Sequence, residues 1–326
     1  MQRWFLHTDK ITLPFFVYIQ NQFCFKLKIM TSFPVVCFGE ILWDVLPTGA
    51  KPGGAPMNVA YHLQKLGLAP AVITRVGTDE AGNQLQQLLN DNNITTGYIQ
   101  TDTQHQTGVV LASLNARAEA TYEIVQPVAW DFIKEHEDLK KLVRAARYFI
   151  FGSLAARSET SRNTLFQLLE NANTKVLDIN LRPPHFSNEL VEDLIHQCDI
   201  LKINDQELQQ IAGRFGAFET LEEGMDLLQG KFGIETIVTT RGSNGALLYI
   251  NGKMYAHPGF KISVKDTVGS GDAFLAALLF GLNNNTPPEE ALAFANKLGA
   301  FVASSEGACP DYTISDIDAA FVKQTF

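Results

Sequence analysis

The chain has 326 residues, 46% apolar and 19% charged, enough to bury the core of one large α/β domain or two smaller ones. Its 26 basic and 35 acidic residues give a net charge of −9, which speaks against a general nucleic-acid binder, since that needs a basic footprint. An anionic ligand stays possible wherever local dipoles or a bound cation outweigh the global charge.

In chain order, residues 1–30 stand apart. Ile11–Ile19 is apolar but too short to span a bilayer, and no basic n-region or small-residue cleavage site marks a secretory signal. Met30 lies just before the first convincing strand, so residues 1–30 are expected to be an N-terminal extension outside the fold, and residues 31–326 the domain itself.

From Val35 onward, short apolar runs alternate with helical patterns. Strands are expected at Val35–Gly39, Ala71–Val76, Tyr148–Phe151, Lys175–Ile179, Ile200–Ile203 and Thr236–Thr240. Helices are expected near Ala55–Lys65, Ala81–Asn90, Glu159–Asn171, Glu189–Gln197, Asp205–Ala212 and Leu221–Gln229. This βαβ rhythm predicts an α/β fold, a mostly parallel sheet with helices on both faces. Gly245–Ile250 and Lys253–Pro258 read as a hairpin around Asn251-Gly252, followed by helices Gly271–Gly281 and Glu289–Ser304. One region breaks the rhythm: Thr107–Ser113 and Ala118–Val125 are β-rich with no helix between them, and Leu42–Leu46 can pair nearby. These segments, near 42–48 and 107–125, predict a small β-sheet projecting as a lid or an interface. An ordinary edge hairpin is the plainer alternative.

Cys24, Cys37, Cys198 and Cys309 form no CxxC pair, and the seven histidines show no HxxxH spacing. That pattern suits reduced thiols in the cytoplasm and speaks against a disulfide framework or a zinc site.

Several polar segments follow strand ends, where α/β proteins place ligand contacts. Asp44 can accept hydrogen bonds from two hydroxyls. Gly53-Gly54 permits close backbone approach, and Asn58 on the following helix turn offers donor and acceptor; a simple Gly-Gly turn explains the same glycines. In Asp178-Ile179-Asn180-Leu181-Arg182 the period of two sends the polar side chains to one side. Asn204 and Glu207 can face one point and suit water-bridged Mg²⁺, or form a helix capping box; the two roles can coexist. Thr240-Arg241-Gly242 supplies small and hydroxyl residues after another strand. Finally, Asp266-Thr267-Val268-Gly269-Ser270-Gly271-Asp272 is a small-residue loop opening an apolar helix. Bare amides and a positive helix pole suit a phosphate, and Asp272 is placed to act as a base, so the loop suggests phosphoryl transfer. No Gly-x-x-x-x-Gly-Lys-Ser/Thr is present, which excludes a P-loop kinase. A dinucleotide-binding GxGxxG does not follow the first strand either.

Taken in this order, the segments over residues 35–315 resemble the ribokinase-like (PfkB) family of carbohydrate kinases. Gly53-Gly54 with Asn58 looks like its N-terminal signature and Asp266–Asp272 like its C-terminal one; Arg75–Asp79 with Gly82 is also similar. The resemblance implies Asp272 as catalytic base, with the amides of Gly269, Ser270 and Gly271 as the anion hole for the γ-phosphoryl group. It implies Asp44, Gly53, Gly54 and Asn58 on sugar hydroxyls, with Arg182 on the sugar or the phosphate. Asn204 and Glu207 match an NxxE element tied to Mg²⁺, Glu207 acting through water. Thr240 and Gly242 would line ATP phosphates, and Asn296 would lie near adenine. A monovalent cation, usually K⁺, would sit by Asp266, Val268, Ser305 and Gly307. Gly-Gly-Ala-Pro-Met-Asn and Gly39-Glu40 before Asp44 look most like bacterial fructokinases, although Met57 stands where alanine is expected. The alternatives are 2-keto-3-deoxygluconate, ribose or nucleoside phosphorylation, or a non-catalytic sugar-binding homologue. A homodimer through the lid is expected, with no membrane or nucleic-acid partner.

Overall fold

The computed structural model describes residues 33–46, 49–114 and 120–321; the expected extension, 1–30, and positions 47–48 and 115–119 of the expected lid segments lie outside them. The chain runs β1 (Val35–Phe38), β2 (Leu42–Leu46), β3 (Gly49–Gly53), α1 (Ala55–Lys65), β4 (Pro70–Gly77), α2 (Glu80–Asp91) and β5 (Ile99–Asp102). It continues with β6 (Gly108–Leu114), β7 (Ala120–Ile124), α3 (Glu137–Ala145), β8 (Tyr148–Gly152), α4 (Glu159–Leu169), β9 (Thr174–Asp178) and α5 (Asn188–His196). Then follow β10 (Ile200–Asn204), α6 (Asp205–Ala212), α7 (Leu221–Phe232), β11 (Thr236–Thr240), β12 (Ala246–Ile250) and β13 (Lys253–His257). Three helices close it: α8 (Ser270–Asn283), α9 (Pro288–Ala303) and α10 (Ile314–Phe321).

Among the described residues nine strands form one sheet in the order β13-β12-β11-β10-β9-β8-β1-β4-β5, every neighbouring pair parallel except that β12 pairs antiparallel with both β11 and β13. Successive residues of β1 serve opposite cores, Val35 and Cys37 on one face and Val36 and Phe38 on the other, the two-residue period of a strand buried on both sides. The first face carries α1, α2, α8, α9 and α10; the second carries α3 to α7. The expected α/β architecture is therefore present, and Asn251-Gly252 makes the hairpin turn with φ values of 53° and 71°, the left-handed pair that a tight hairpin needs.

A second sheet of four strands, β3-β2-β6-β7, stands beside the first. β2 pairs antiparallel with β3 and parallel with β6. β3 was not among the expected elements, its Gly-Ala-Lys-Pro-Gly composition being poor in strand-forming residues. Pairing with β2 imposes the strand where local propensity does not. β5, α3 and α10 were likewise absent from the expected elements.

Because β1 and β8 to β11 run in parallel, their carboxyl ends share one edge. Asn204 and Thr240 are the last residues of β10 and β11, Asn180, Arg182 and Gly242 follow strand ends at the same edge, and β2, β3 and α1 come after β1 in the chain.

Candidate active site

The site centres on the first turn of α8. This helix is apolar around its circumference, with Ala273 to Leu279 all buried, so it packs centrally and holds its first turn rigidly. Gly269 precedes it with φ 77°, and a methyl group at this position would come within 2.5 Å of Ala308 Cβ. Only glycine meets both demands. Ala273 N donates to Gly269 O at 2.9 Å and Ser270 N turns back to Thr267 O at 3.3 Å. The amides of Gly269, Gly271 and Asp272 have no backbone partner among the described residues. Of the three amides expected at the anion hole, that of Ser270 closes the turn on Thr267, and those of Gly269 and Gly271, with that of Asp272 beside them, are left open.

Asp272 is 9% exposed. Its Oδ2 accepts a hydrogen bond from Asn58 Nδ2 at 2.8 Å, and Cys309 Sγ donates to Asn58 Oδ1 at 3.4 Å. The Asn58 side chain, which the resemblance places on a sugar hydroxyl, thus also holds Asp272. Burial, reinforced by the Asp178 charge, pushes the Asp272 carboxyl up to about 6, against the pull of Lys202, the Asn58 hydrogen bond and Arg182.

Lys202 is the principal site residue that sequence reading missed. It lies buried in β10, its Nζ 2.8 Å from both carboxylate oxygens of Asp178. Burial works to lower its pKa, but Asp178, Asp272 and Glu207 together hold it above the ordinary range. The available signal was a lone lysine within an apolar strand, Ile200-Leu-Lys-Ile, which must find a counter-charge to be buried.

Asn204 and Glu207 form the capping box of α6: Asn204 Oδ1 accepts from Glu207 N at 2.8 Å, and Glu207 Oε2 from Asn204 N at 3.0 Å. Glu207 Oε1 also accepts from Leu181 N at 2.8 Å, tying the Arg182 segment to this corner. Each carboxylate oxygen keeps a lone pair beyond those bonds. Among the described residues no group of three or more His, Cys, Asp or Glu could hold a metal ion.

On the small-sheet side, Asp44 faces Gly53, where a Cβ would lie 2.3 Å from Asp44 Oδ2. Gly54 takes φ 111° and passes so close to Glu40 that a methyl group would meet its carbonyl at 2.4 Å. Burial raises the Asp44 pKa and Arg182 opposes it, placing that exposed arginine electrostatically near Asp44, Glu40 and Asp272. Glu40 is buried, its Oε2 without a partner among the described residues, beside a cavity of about 10 Å³ that Ser153, Asp178 and Asn180 also line. Burial pushes Glu40 up to about 7, against backbone hydrogen bonds and Arg182.

A larger cavity of about 410 Å³ opens on the other side of the loop. Thr240, Gly242, Ser270, Gly271 and Asn296 all line it, so the residues expected around a nucleotide share one space of ligand size. Asn296 directs Nδ2 to Leu292 O of its own helix at 2.8 Å, which leaves its Oδ1 as the group to offer. The wall from Gly259 to Val264 was not anticipated.

Asp266 joins the two segments expected at a monovalent cation: its Oδ1 accepts from Val268 N at 3.1 Å and its Oδ2 from Gly307 N at 3.3 Å. Ser305 Oγ is turned back onto Phe301 O at 3.0 Å. Lys51 Nζ, on β3, stands 4.0 Å from Asp266 Oδ2. Among the described residues no helix is long and apolar enough to cross a membrane.

Comparison with known proteins gives a consistent result. The family described as pfkB family carbohydrate kinase matches residues 35–314. Fructokinase-1 of Oryza sativa subsp. japonica is 29% identical over 305 residues, covering 85% of this chain and 93% of the plant protein. The fructokinase of Klebsiella pneumoniae is 29% identical over 290 residues, covering 83% and 93%. A Vibrio cholerae O395 fructokinase double mutant, solved with fructose, ADP and potassium ion, superposes with a TM-score of 0.75 at 26% identity, covering 87% of this chain and 97% of that one.

Proposed function

The chain belongs to the pfkB family of carbohydrate kinases, and on that premise we propose that it transfers the γ-phosphoryl group of ATP to D-fructose, giving fructose 6-phosphate. The observation that carries this reading is the pairing of Asn58 with Asp272 at the head of α8, next to unpartnered amides and a cavity of nucleotide size. Fructokinases among its relatives support the choice of sugar.

In this reading Asp272 takes the proton from the attacking sugar hydroxyl as that oxygen bonds to phosphorus and the bond to the ADP oxygen breaks. The Gly269, Gly271 and Asp272 amides hold the migrating group's oxygens, and phosphoryl transfer needs such positioning more than covalent chemistry. Asp44, Gly53, Gly54 and Asn58 hold the sugar, and Arg182 meets the sugar or the phosphate. Thr240, Gly242 and Asn296 line the nucleotide. Mg²⁺ would be held through water by Glu207, beside Asn204, and when bound supplies charge neutralisation. The Asp266 junction, with Val268, Ser305 and Gly307, would hold K⁺, which would supply positive charge beside the glycine loop.

The small sheet acts as a lid, and its exposed Val45, Leu111 and Tyr122 pair with a second copy of the chain. The site of action is the cytoplasm. Light scattering checks the dimer. An ADP-release assay with fructose, ribose, 2-keto-3-deoxygluconate and nucleosides, run with and without K⁺, tests the rest. Fructose should give the highest kcat/KM, and K⁺ should raise it. Binding of fructose without turnover would overturn the kinase assignment in favour of a sugar-binding homologue.

A further inference from the structure

We propose that Lys202 is a positioning residue of the transfer step, its ammonium setting the charge at Asp272 and at the Gly271 amide from beneath the glycine loop. This role rests on the phosphoryl-transfer reading above. A methyl group on Gly271 would lie 3.3 Å from Lys202 Nζ and 3.7 Å from its Cε, so the ammonium lies close by the first turn of α8. Two of its three donors serve Asp178. Asp272 and Glu207 draw on the same charge.

Burying an ion pair in the middle of a sheet is poor economy for stability alone, because an apolar pair of similar volume serves as well or better. What distinguishes this pair is its position. The groups facing Asp272 are Asn58 from α1, Asp178 from β9, Lys202 from β10, Arg182 from the segment after β9, Glu40 after β1 and Cys309 after α9. Of the two cations, Arg182 is exposed to screening while Lys202 is buried. Lys202 therefore offsets the negative charge that a phosphoryl group brings to the loop, and it favours the ionised form of Asp272, the form that can accept a proton.

The test compares the unmodified chain with Lys202→Met, Lys202→Arg and the double variant Asp178→Asn/Lys202→Met, which removes both charges and so leaves no unpaired buried carboxylate. Two readouts are taken: kcat and fructose KM across pH, and the ¹³C titration of the Asp272 carboxyl, which needs no turnover. Lys202→Met should lower kcat about 10²-fold, the scale of losing one well-aimed electrostatic group, with fructose KM little changed. Its Asp272 titration should move up by roughly one pH unit. Lys202→Arg should recover part of kcat, and the double variant should fold but remain slow. A double variant with normal kcat would show that Lys202 merely neutralises Asp178, and an Asp272 titration unmoved in Lys202→Met would equally overturn the role. If the unmodified chain phosphorylates no sugar, the kinase reading falls, and the carboxyl titration still decides whether Lys202 governs Asp272.

Discussion

Asn58 Nδ2 and Asp272 Oδ2 lie 2.8 Å apart across 214 positions of sequence, and this contact joins α1 to α8, the helices that the proposed function assigns to sugar and phosphate. A carboxylate so held has one oxygen engaged and one available. Asp272→Asn preserves shape but cannot take a proton. Its kcat should fall by about 10²–10⁴-fold, the contribution of a positioned base, while fructose affinity measured by calorimetry stays close to normal. Turnover near the original rate would remove Asp272 from the chemistry.

The pH profile follows from the same carboxyl. With Asp272 held at about 6, kcat/KM should fall as the pH drops through that value, because the base must be ionised to act. The Asn58 hydrogen bond favours the charged form, so its loss in Asn58→Ala should move the acidic limb to higher pH as well as weakening fructose binding. A limb that moves to lower pH contradicts the assignment.

Glu40 makes a separate prediction about stability. Its folded-state pKa, raised to about 7 by burial, exceeds that of the unfolded chain. Its contribution is therefore fully present below the unfolded value and is lost as the pH rises through the folded one. A shift of this size corresponds to about 3 kcal/mol once the group is ionised. Glu40→Gln keeps an acceptor for the Ala55 amide and cannot ionise. Urea melts should show the variant gaining on the unmodified chain between pH 5 and pH 8. An offset independent of pH would show that ionisation of Glu40 costs nothing.

The parts of this site that were legible in the sequence are those whose chemistry is local. The Asp266–Asp272 loop announces itself through small residues before an apolar helix, and Asn204 with Glu207 through capping-box spacing, which the structure forms. The parallel strands were legible because burial on both faces leaves continuous apolar runs. Long-range pairing explains what was not. β3 exists because β2 supplies its hydrogen bonds, and neither its glycines nor Pro52 signals a strand. The partnership of Lys202 with Asp178 joins neighbouring strands 24 positions apart, and the Asn58–Asp272 contact joins helices that only the tertiary fold brings together.

The glycine loop offers a contrast between two adjacent substitutions. At position 269 a side chain must adopt φ 77° and place its methyl 2.5–2.8 Å from the Cβ, Cα and O of Ala308. Left-handed backbone costs a non-glycine residue about 1–2 kcal/mol, and the clash falls on backbone that cannot yield freely, since His62 Nε2 holds Ala308 O at 2.9 Å. Gly269→Ala should therefore lower both the melting temperature and kcat. At position 271 the φ is ordinary and the nearest atoms belong to the flexible end of Lys202, at 3.3 and 3.7 Å. Alanine in a helix gains up to about 1 kcal/mol over glycine, so Gly271→Ala should keep the melting temperature or raise it slightly. Its kcat should nonetheless fall, because the added methyl crowds the ammonium and the amide that the proposed mechanism sets beside the phosphoryl group. Thermal melts and steady-state rates on the two variants separate these effects. Equal loss of stability in both would mean that the loop tolerates no side chain anywhere, and that the contact with Lys202 has no particular consequence.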